Sequence, residues 1–251
     1  MTVRQVLRIL LFVFLCSAAV AQAADVEFET LDRGATEAYR AKLYPSAQQQ
    51  WRAALETEEA RTSSELRARI LFNLGNAAFR QDRPLEAVAY YSASRRLRPR
   101  DGDVQANLDY ASIEAGLEPP ERGNVLTSMT LGESERLVLG LTLGLFALLA
   151  AEAFFGRTFR ILAAICAVVL LASLGPWVYN LTQEGRERVM VVRAAGAPLM
   201  SEPRTDSKML LKLDPGTEHE IRDSLLEWTK VETADGIEGW TKSASVFRTD
   251  F

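Results

Sequence analysis

Apolar residues are gathered into three runs that long polar stretches separate. In the first run residues 9–15 are apolar, Arg4 and Arg8 precede them, and Ala21-Gln22-Ala23 follows. A basic start, a short apolar core and small residues before a cleavage site are typical of a secretory signal peptide, so we expect residues 1–24 to be removed on export. The alternative is an uncleaved anchor, although the core is shorter than the ~20 residues that span a bilayer.

The second and third apolar runs are longer and lie close together. They cover residues 137–155 and 159–181, with only Gly156-Arg157-Thr158 between them. Each run is long enough to cross a hydrocarbon core of about 30 Å as a helix that rises about 1.5 Å per residue. The spacing predicts a transmembrane helical hairpin over residues 136–181.

The hairpin determines the expected sidedness of the polar regions. If residues 25–135 are exported, the first helix runs inward and the second returns residues 182–251 to the same side. Arg157 and Arg160 in the short turn agree with the preference for positive charge on the cytoplasmic side, whereas arginines on the other flank weaken that test. We expect an integral protein of the bacterial inner (cytoplasmic) membrane with both soluble regions periplasmic.

Between the leader and the hairpin the pattern is helical and it repeats. Residues 34–115 are rich in Ala, Arg, Glu and Leu, and β-branched residues are few. A shift of forty residues aligns Tyr39 with Phe79, Ala47 with Ala87, Trp51 with Tyr91, and Ala54 with Ser94. Such a repeat predicts helix pairs that stack on one another. An ordinary helical bundle is the alternative.

The second copy of the repeat resembles the tetratricopeptide family. The residues at that family's spacing are Leu74-Gly75, Ala87, Tyr91, Ser94 and Pro99, and Asp82 departs from it where a glycine is usual. The first copy lacks the Leu-Gly pair and the closing proline. The resemblance implies an all-α tetratricopeptide helical stack over residues 25–117, with an enlarged junction near residues 62–65 and a last helix that caps the stack.

Three polar residues of the stack form the candidate binding site. In tetratricopeptide modules that clamp peptide carboxylates, asparagines lie on the inner helices of successive repeats, and Asn76 and Asn107 resemble that pair. Arg80 lies one turn after Asn76 and can supply a bidentate charge. Phe72 stands where the family's clamp lysine is expected, and an asparagine after Leu-Gly also occurs for structural reasons. The resemblance implies that Asn76, Arg80 and Asn107 bind a peptide.

A run of arginines closes the second repeat, and its members are Arg95, Arg96, Arg98 and Arg100. Cations complement the carbonyl dipole at the C-terminal end of a helix, so we interpret the run as a solvated helix end. The alternative is a docking patch for an anionic lipid or a wall polymer.

Short strands replace helices after the hairpin. A proline-containing linker is expected over residues 118–135, and residues 188–249 alternate between strand patterns and glycine turns, which indicates a small barrel or sandwich. The residues that resemble the bacterial SH3-like family are Leu213, Gly216, Trp228, Val231, Asp235-Gly236 and Gly239-Trp240. The resemblance implies a C-terminal all-β SH3-like barrel, in which Trp228 is a possible ligand surface and Trp240 a core residue.

Charge and composition exclude several classes of function. The 29 Lys and Arg against 33 Asp and Glu give a net charge of −4, so no nucleic-acid partner is expected. Cys16 lies in the leader and Cys166 in a membrane helix, which leaves no cysteine for a disulfide or a thiolate site in the exported regions. His219, the single histidine, alternates with Ile221 and is expected to face inward. We expect no enzyme activity, no catalytic residue, no metal and no cofactor.

The order of the modules resembles the BatE family of the Bat aerotolerance systems. That resemblance implies a membrane-anchored adaptor that works beside von Willebrand factor A proteins and a MoxR-type ATPase in oxidative or envelope stress. From the residues alone, we expect a two-headed adaptor that binds protein partners. The alternative is a cell-wall module whose SH3-like domain binds peptidoglycan and whose repeats organise an envelope synthesis or division complex.

Overall fold

Three parts follow one another along the chain: a helical stack, a pair of long apolar helices and an antiparallel sheet. The computed structural model describes residues 27–121, 128–155, 157–183, 188–191 and 195–248. The predicted signal peptide lies outside the described residues.

The helical stack contains six helices. They are α1 (27–40), α2 (Tyr44–Leu55), α3 (Glu58–Thr62), α4 (Ser64–Phe79), α5 (Pro84–Leu97) and α6 (Gly102–Glu114). Side-chain caps begin three of them, since Thr57, Ser63 and Asp101 each accept hydrogen bonds from backbone amides of the next turn. The short α3 lies in the junction between the two repeats, next to the region where the forty-residue offset predicts extra chain.

Small residues let the helices of the stack approach closely. Ala47, Ala87 and Ser94 are fully buried, and the Ser94 hydroxyl donates to the Ala68 carbonyl at 2.8 Å. A Cβ on Gly75 would lie 2.5 Å from the Tyr91 ring, so a glycine there is what allows α5 to lie against α4. The repeat spacing found in the sequence is therefore a packing requirement.

The two apolar helices, α7 (Leu131–Phe155) and α8 (Arg160–Gln183), pack along each other as a hairpin. Both are long and apolar enough to cross a membrane by length and composition. Helix α7 begins within the segment predicted as linker, because Thr130 and Glu133 form a capping box. The Thr130 amide donates to Glu133 Oε2 at 3.0 Å, and the Glu133 amide donates to Thr130 Oγ1 at 3.3 Å.

Seven strands form one antiparallel sheet in the order β3-β2-β6-β5-β4-β1-β7. The strands are β1 (Arg188–Val191), β2 (Ala197–Met200), β3 (Met209–Leu213), β4 (Glu218–Leu225), β5 (Trp228–Glu232), β6 (Glu238–Lys242) and β7 (Val246–Arg248). Its core contains Val191, Leu199 and Val231. The sheet is open, since β3 and β7 are not paired with each other in the described ladder, so the predicted closed barrel is not confirmed.

The stack and the sheet touch directly. The rings of Tyr90 on α5 and Phe247 on β7 meet edge to face with centroids 4.6 Å apart, and Met190 of β1 is buried in the core of the stack. Arg96 also pairs with Glu218 of β4 at 3.0 Å. The sequence predicts two heads that the membrane anchor holds close together. In the structure they also pack directly against each other, through α5.

Candidate functional site

The three residues predicted to bind a peptide come together in one groove of the stack. Asn76 lies in the last turn of α4, Arg80 is the residue that caps the end of that helix, and Asn107 comes from α6. The groove has a volume of about 310 Å³. Its lining residues are Tyr39, Asn76, Phe79, Arg80, Tyr91, Asn107 and Tyr110. Asn76, Arg80 and Asn107 therefore lie together in one groove. That they bind a ligand stays a prediction.

The Asn76 side chain is oriented by two hydrogen bonds to the same atom. Its Oδ1 accepts from the Tyr91 hydroxyl at 2.7 Å and from Asn107 Nδ2 at 3.4 Å. Burial raises the pKa of Tyr91, so this hydroxyl keeps its proton and remains a donor. Both bonds use the oxygen, so neither occupies the Asn76 Nδ2 group, which can donate to a ligand in the groove.

Arg80 is the single charged residue in the groove lining. Its side chain is exposed, and a hydrogen bond with the Tyr39 hydroxyl is the main cause that raises its pKa. The guanidinium therefore stays charged, and the Tyr39 hydroxyl orients it in the groove. No aspartate, glutamate or histidine lines the groove, so its lining combines one positive charge with amide and hydroxyl donors.

Aromatic rings complete the groove, and the sequence argument did not assign them to the site. Phe79 and Tyr110 lie with ring centroids 5.4 Å apart, and Tyr39 packs against Trp51 at 5.8 Å. The forty-residue offset already pairs Tyr39 with Phe79, and this signal could have identified them. Phe72, at the position of the family's clamp lysine, packs instead against Tyr91 at 5.7 Å and is not part of the lining.

The tryptophans of the sheet are placed differently from their predicted roles. Trp228, predicted as a possible ligand surface, is only 7% exposed, and Lys242 Nζ lies 5.7 Å from its ring centroid. Trp240, predicted as a core residue, is half-buried. Of the two indoles, Trp240 therefore offers more surface to a ligand.

The arginine run is engaged in contacts within the chain. Arg98 pairs with Glu65 on α4, and Arg100 pairs with Glu133 at the start of α7. Together with the Arg96–Glu218 pair, these contacts join the end of α5 to α4, to the sheet and to the apolar hairpin. The run is therefore neither a purely solvated helix end nor an unoccupied patch.

His219 lies half-buried in β4, and its Nε2 is 2.8 Å from the Thr217 hydroxyl. Burial lowers its pKa, so the imidazole is held in its neutral form. Within the described ranges, no group of three or more His, Cys, Asp or Glu side chains is placed to hold a metal ion.

Comparisons with known proteins give little that bears on function. No family model matches the chain, and no curated protein matches it, so the resemblance to the BatE family receives no support from them. Part of the chain is similar to a solved structure described as "Functional Characterization of Pseudomonas Aeruginosa pilF". The identity is 21%, the TM-score is 0.30, and the alignment covers 62% of this chain and 65% of that chain. The match spans less than two thirds of that chain, and a likeness this slight carries no argument about fold or function.

Proposed function

We propose that this protein is a membrane-anchored adaptor whose helical stack binds the C-terminal end of an extended peptide. The observation that carries the proposal is the chemistry of the groove. Arg80 and the amides of Asn76 and Asn107 supply donors, and no carboxylate competes for them in the lining. A carboxylate is the group that such a set of donors recognises, since guanidinium and amide groups both bond to its oxygens.

The aromatic rings give the groove a second kind of contact. Phe79, Tyr110 and Tyr39 offer apolar surface beside the donors, so the residue before the peptide carboxylate would be apolar. Tyr110 is largely exposed, which leaves its ring open to a ligand. The predicted ligand is an extended peptide that ends in an apolar residue and a free carboxylate.

The membrane anchor of this proposal is the hairpin of α7 and α8. Large apolar side chains such as Phe146, Ile161 and Leu171 are exposed on these helices, an arrangement that water disfavours and a lipid core favours. A hairpin returns the chain to the side from which it came, and the contact of the stack with the sheet requires that same arrangement. With the predicted signal peptide, both soluble parts would lie in the periplasm of a bacterial cell.

The family of each soluble domain, and the complex in which the protein works, are inferred from the residues of the repeat and from the order of the modules. We infer tetratricopeptide repeats, an SH3-like C-terminal domain and a role beside von Willebrand factor A-type proteins in a Bat/MoxR-type stress complex. The alternative, in which the C-terminal domain binds peptidoglycan in the cell wall, has less support because Trp228 is buried. Binding of purified chain to insoluble peptidoglycan, lost on replacement of Trp240, would favour that alternative.

The groove is tested by selecting ligands from a library of ten-residue peptides with free C-termini, using the full chain in nanodiscs. We expect Asn76→Ala and Asn107→Ala each to weaken binding of a selected peptide roughly 10- to 30-fold, because each removes a hydrogen bond to a charged group worth about 1.5–2 kcal/mol. Asn73→Ala is the matched control, since Asn73 lies on α4 outside the lining. Calorimetric titration measures the affinities, and equal losses in all three variants would refute this use of the groove.

A further inference from the structure

The turn between β4 and β5 carries two exposed leucines. Leu226 is 97% exposed and Leu225 is 49% exposed. Leu226 also has a φ of +52°, a left-handed conformation that glycine and asparagine adopt readily and a leucine does not. Neither burial in the fold nor backbone geometry explains a leucine at this position. We call residues 225–227 the leucine turn.

The strand register directs the leucine turn back toward the end of α8. Strand β1 is the first strand after α8, and β4 runs antiparallel to it, with Met190 opposite Glu218 and Arg188 opposite Glu220. Beyond Glu220, β4 therefore continues past the start of β1. Leu225 is five residues beyond Glu220, and α8 ends five residues before Arg188. The stretch from Glu220 to Leu225 and the stretch from the end of α8 to Arg188 therefore have the same length. At about 3.3 Å per residue, each is at most about 17 Å long.

The residues at the base of the turn fit a membrane interface. Leu225 is paired with Trp228 across the hairpin, and Lys242 lies over the Trp228 ring. Trp228 is only 7% exposed, so its indole supports Leu225 from inside the sheet. Lysine is typical of the boundary between hydrocarbon and water, because its ammonium stays in water while its stem lies along apolar surface. The turn thus places two leucines at its tip and the Lys242 ammonium behind them.

We propose that the leucine turn inserts into the lipid surface beside α8 and holds the sheet against the bilayer. The inference rests on the proposed crossing of the membrane by α7 and α8. The stack is attached to the sheet through Tyr90 and Phe247, so this contact also fixes the height and tilt of the peptide groove above the membrane. The groove is then held at a fixed distance from the lipid surface, where partners can reach it.

The test places one fluorescent probe at a time on the full chain in nanodiscs of phosphatidylcholine and phosphatidylglycerol, with Cys16→Ser and Cys166→Ala as background. Ser224→Cys puts a nitrobenzoxadiazole probe beside both leucines without replacing them. Asp235→Cys is the control, because Asp235 lies in the exposed β5–β6 turn at the other end of β5. Doxyl groups on the lipid chains and iodide in the buffer are the two quenchers.

We expect the probe at position 224 to be quenched by doxyl lipid at least 3-fold more than the probe at position 235, and to be protected from iodide. Leu226→Asn should bring the probe at position 224 to the level of the control, since asparagine accepts the left-handed backbone and removes the apolar tip. Iodide quenching equal at both positions would overturn the proposal. Protection from both quenchers would also overturn it, because that result indicates a protein pocket.

A third probe separates this inference from the proposed function. Val168 is exposed near the middle of α8, so Val168→Cys should be strongly quenched by doxyl lipid if the hairpin crosses the bilayer. Quenching at position 168 without quenching at position 224 overturns the leucine turn alone. Absence of quenching at position 168 overturns the membrane hairpin and the leucine turn together.

Discussion

Replacing Tyr90 by alanine is expected to destabilise the soluble part of the protein by about 3–5 kcal/mol, the range for truncating a large buried aromatic side chain. The Tyr90 ring is fully buried between the stack and the sheet, and it meets Phe247 with centroids 4.6 Å apart. Its hydroxyl accepts a hydrogen bond from Arg52 Nε at 2.9 Å. Denaturant unfolding of the full chain in nanodiscs, followed by tryptophan fluorescence, measures the loss.

Two further variants test whether the destabilisation by Tyr90→Ala comes from the contact between Tyr90 and Phe247. Tyr90→Phe keeps the ring against Phe247 and removes only the hydroxyl, so it should cost about 1 kcal/mol. Tyr110→Ala truncates a largely exposed tyrosine and should cost under ~1 kcal/mol. If Tyr90→Ala cost no more than Tyr110→Ala, the stack and the sheet would be independent units and the structural contact between them would be contradicted.

Reversing the charge of Arg80 is expected to have the largest effect on binding. Arg80→Glu removes the single positive charge of the groove and places a like charge beside the peptide carboxylate. The variant loses the charge-assisted hydrogen bonds to the carboxylate and adds repulsion, so the affinity should fall roughly 100-fold or more. Stability should change little, because the Arg80 side chain is exposed.

The control for this variant makes the same change of net charge elsewhere. Arg61 pairs with Glu56 on the exposed surface of the stack, and such pairs contribute at most about 1 kcal/mol. Arg61→Glu should therefore leave peptide affinity within about 2-fold of the original value. A similar loss of affinity in Arg61→Glu and Arg80→Glu would show that overall charge, and not the groove, attracts the peptide.

The helical stack and its groove could be predicted from sequence because the information is local. Asn76 and Arg80 share a helix face by their spacing, and the resemblance to tetratricopeptide repeats places Asn107 on the corresponding helix of the next repeat. The aromatic lining was visible in the same repeat but was interpreted only as packing. Periodicity indicates which residues share a face, and it does not indicate whether that face stays open.

Contacts between distant parts of the chain could not be predicted in this way. Tyr90 and Phe247 belong to separate modules, and nothing in either local pattern shows that α5 has a second buried side. Likewise, alternation in the strands does not decide between Trp228 and Trp240. Trp228 is buried beside the equally buried Thr229, so burial along β5 does not follow a simple alternation.

The start of α7 shows how a cap can extend an element beyond its hydrophobic run. The apolar pattern begins at residue 137, whereas the helix begins at Leu131 because Thr130 and Glu133 satisfy each other's backbone amides. Arg100 then pairs with Glu133 and attaches the stack to the hairpin. The predicted linker is therefore partly helical and is held at one end.

The affinity of the groove for a selected peptide with a free C-terminus, compared with the same peptide carrying a C-terminal amide, tests the central claim most directly. Titration calorimetry at pH 7 should show the free acid binding at least 10-fold more tightly, since amidation removes the charge that Arg80 and the two asparagines recognise. Equal affinity for acid and amide would contradict the account, because the groove would then bind peptides without using the residues that define it.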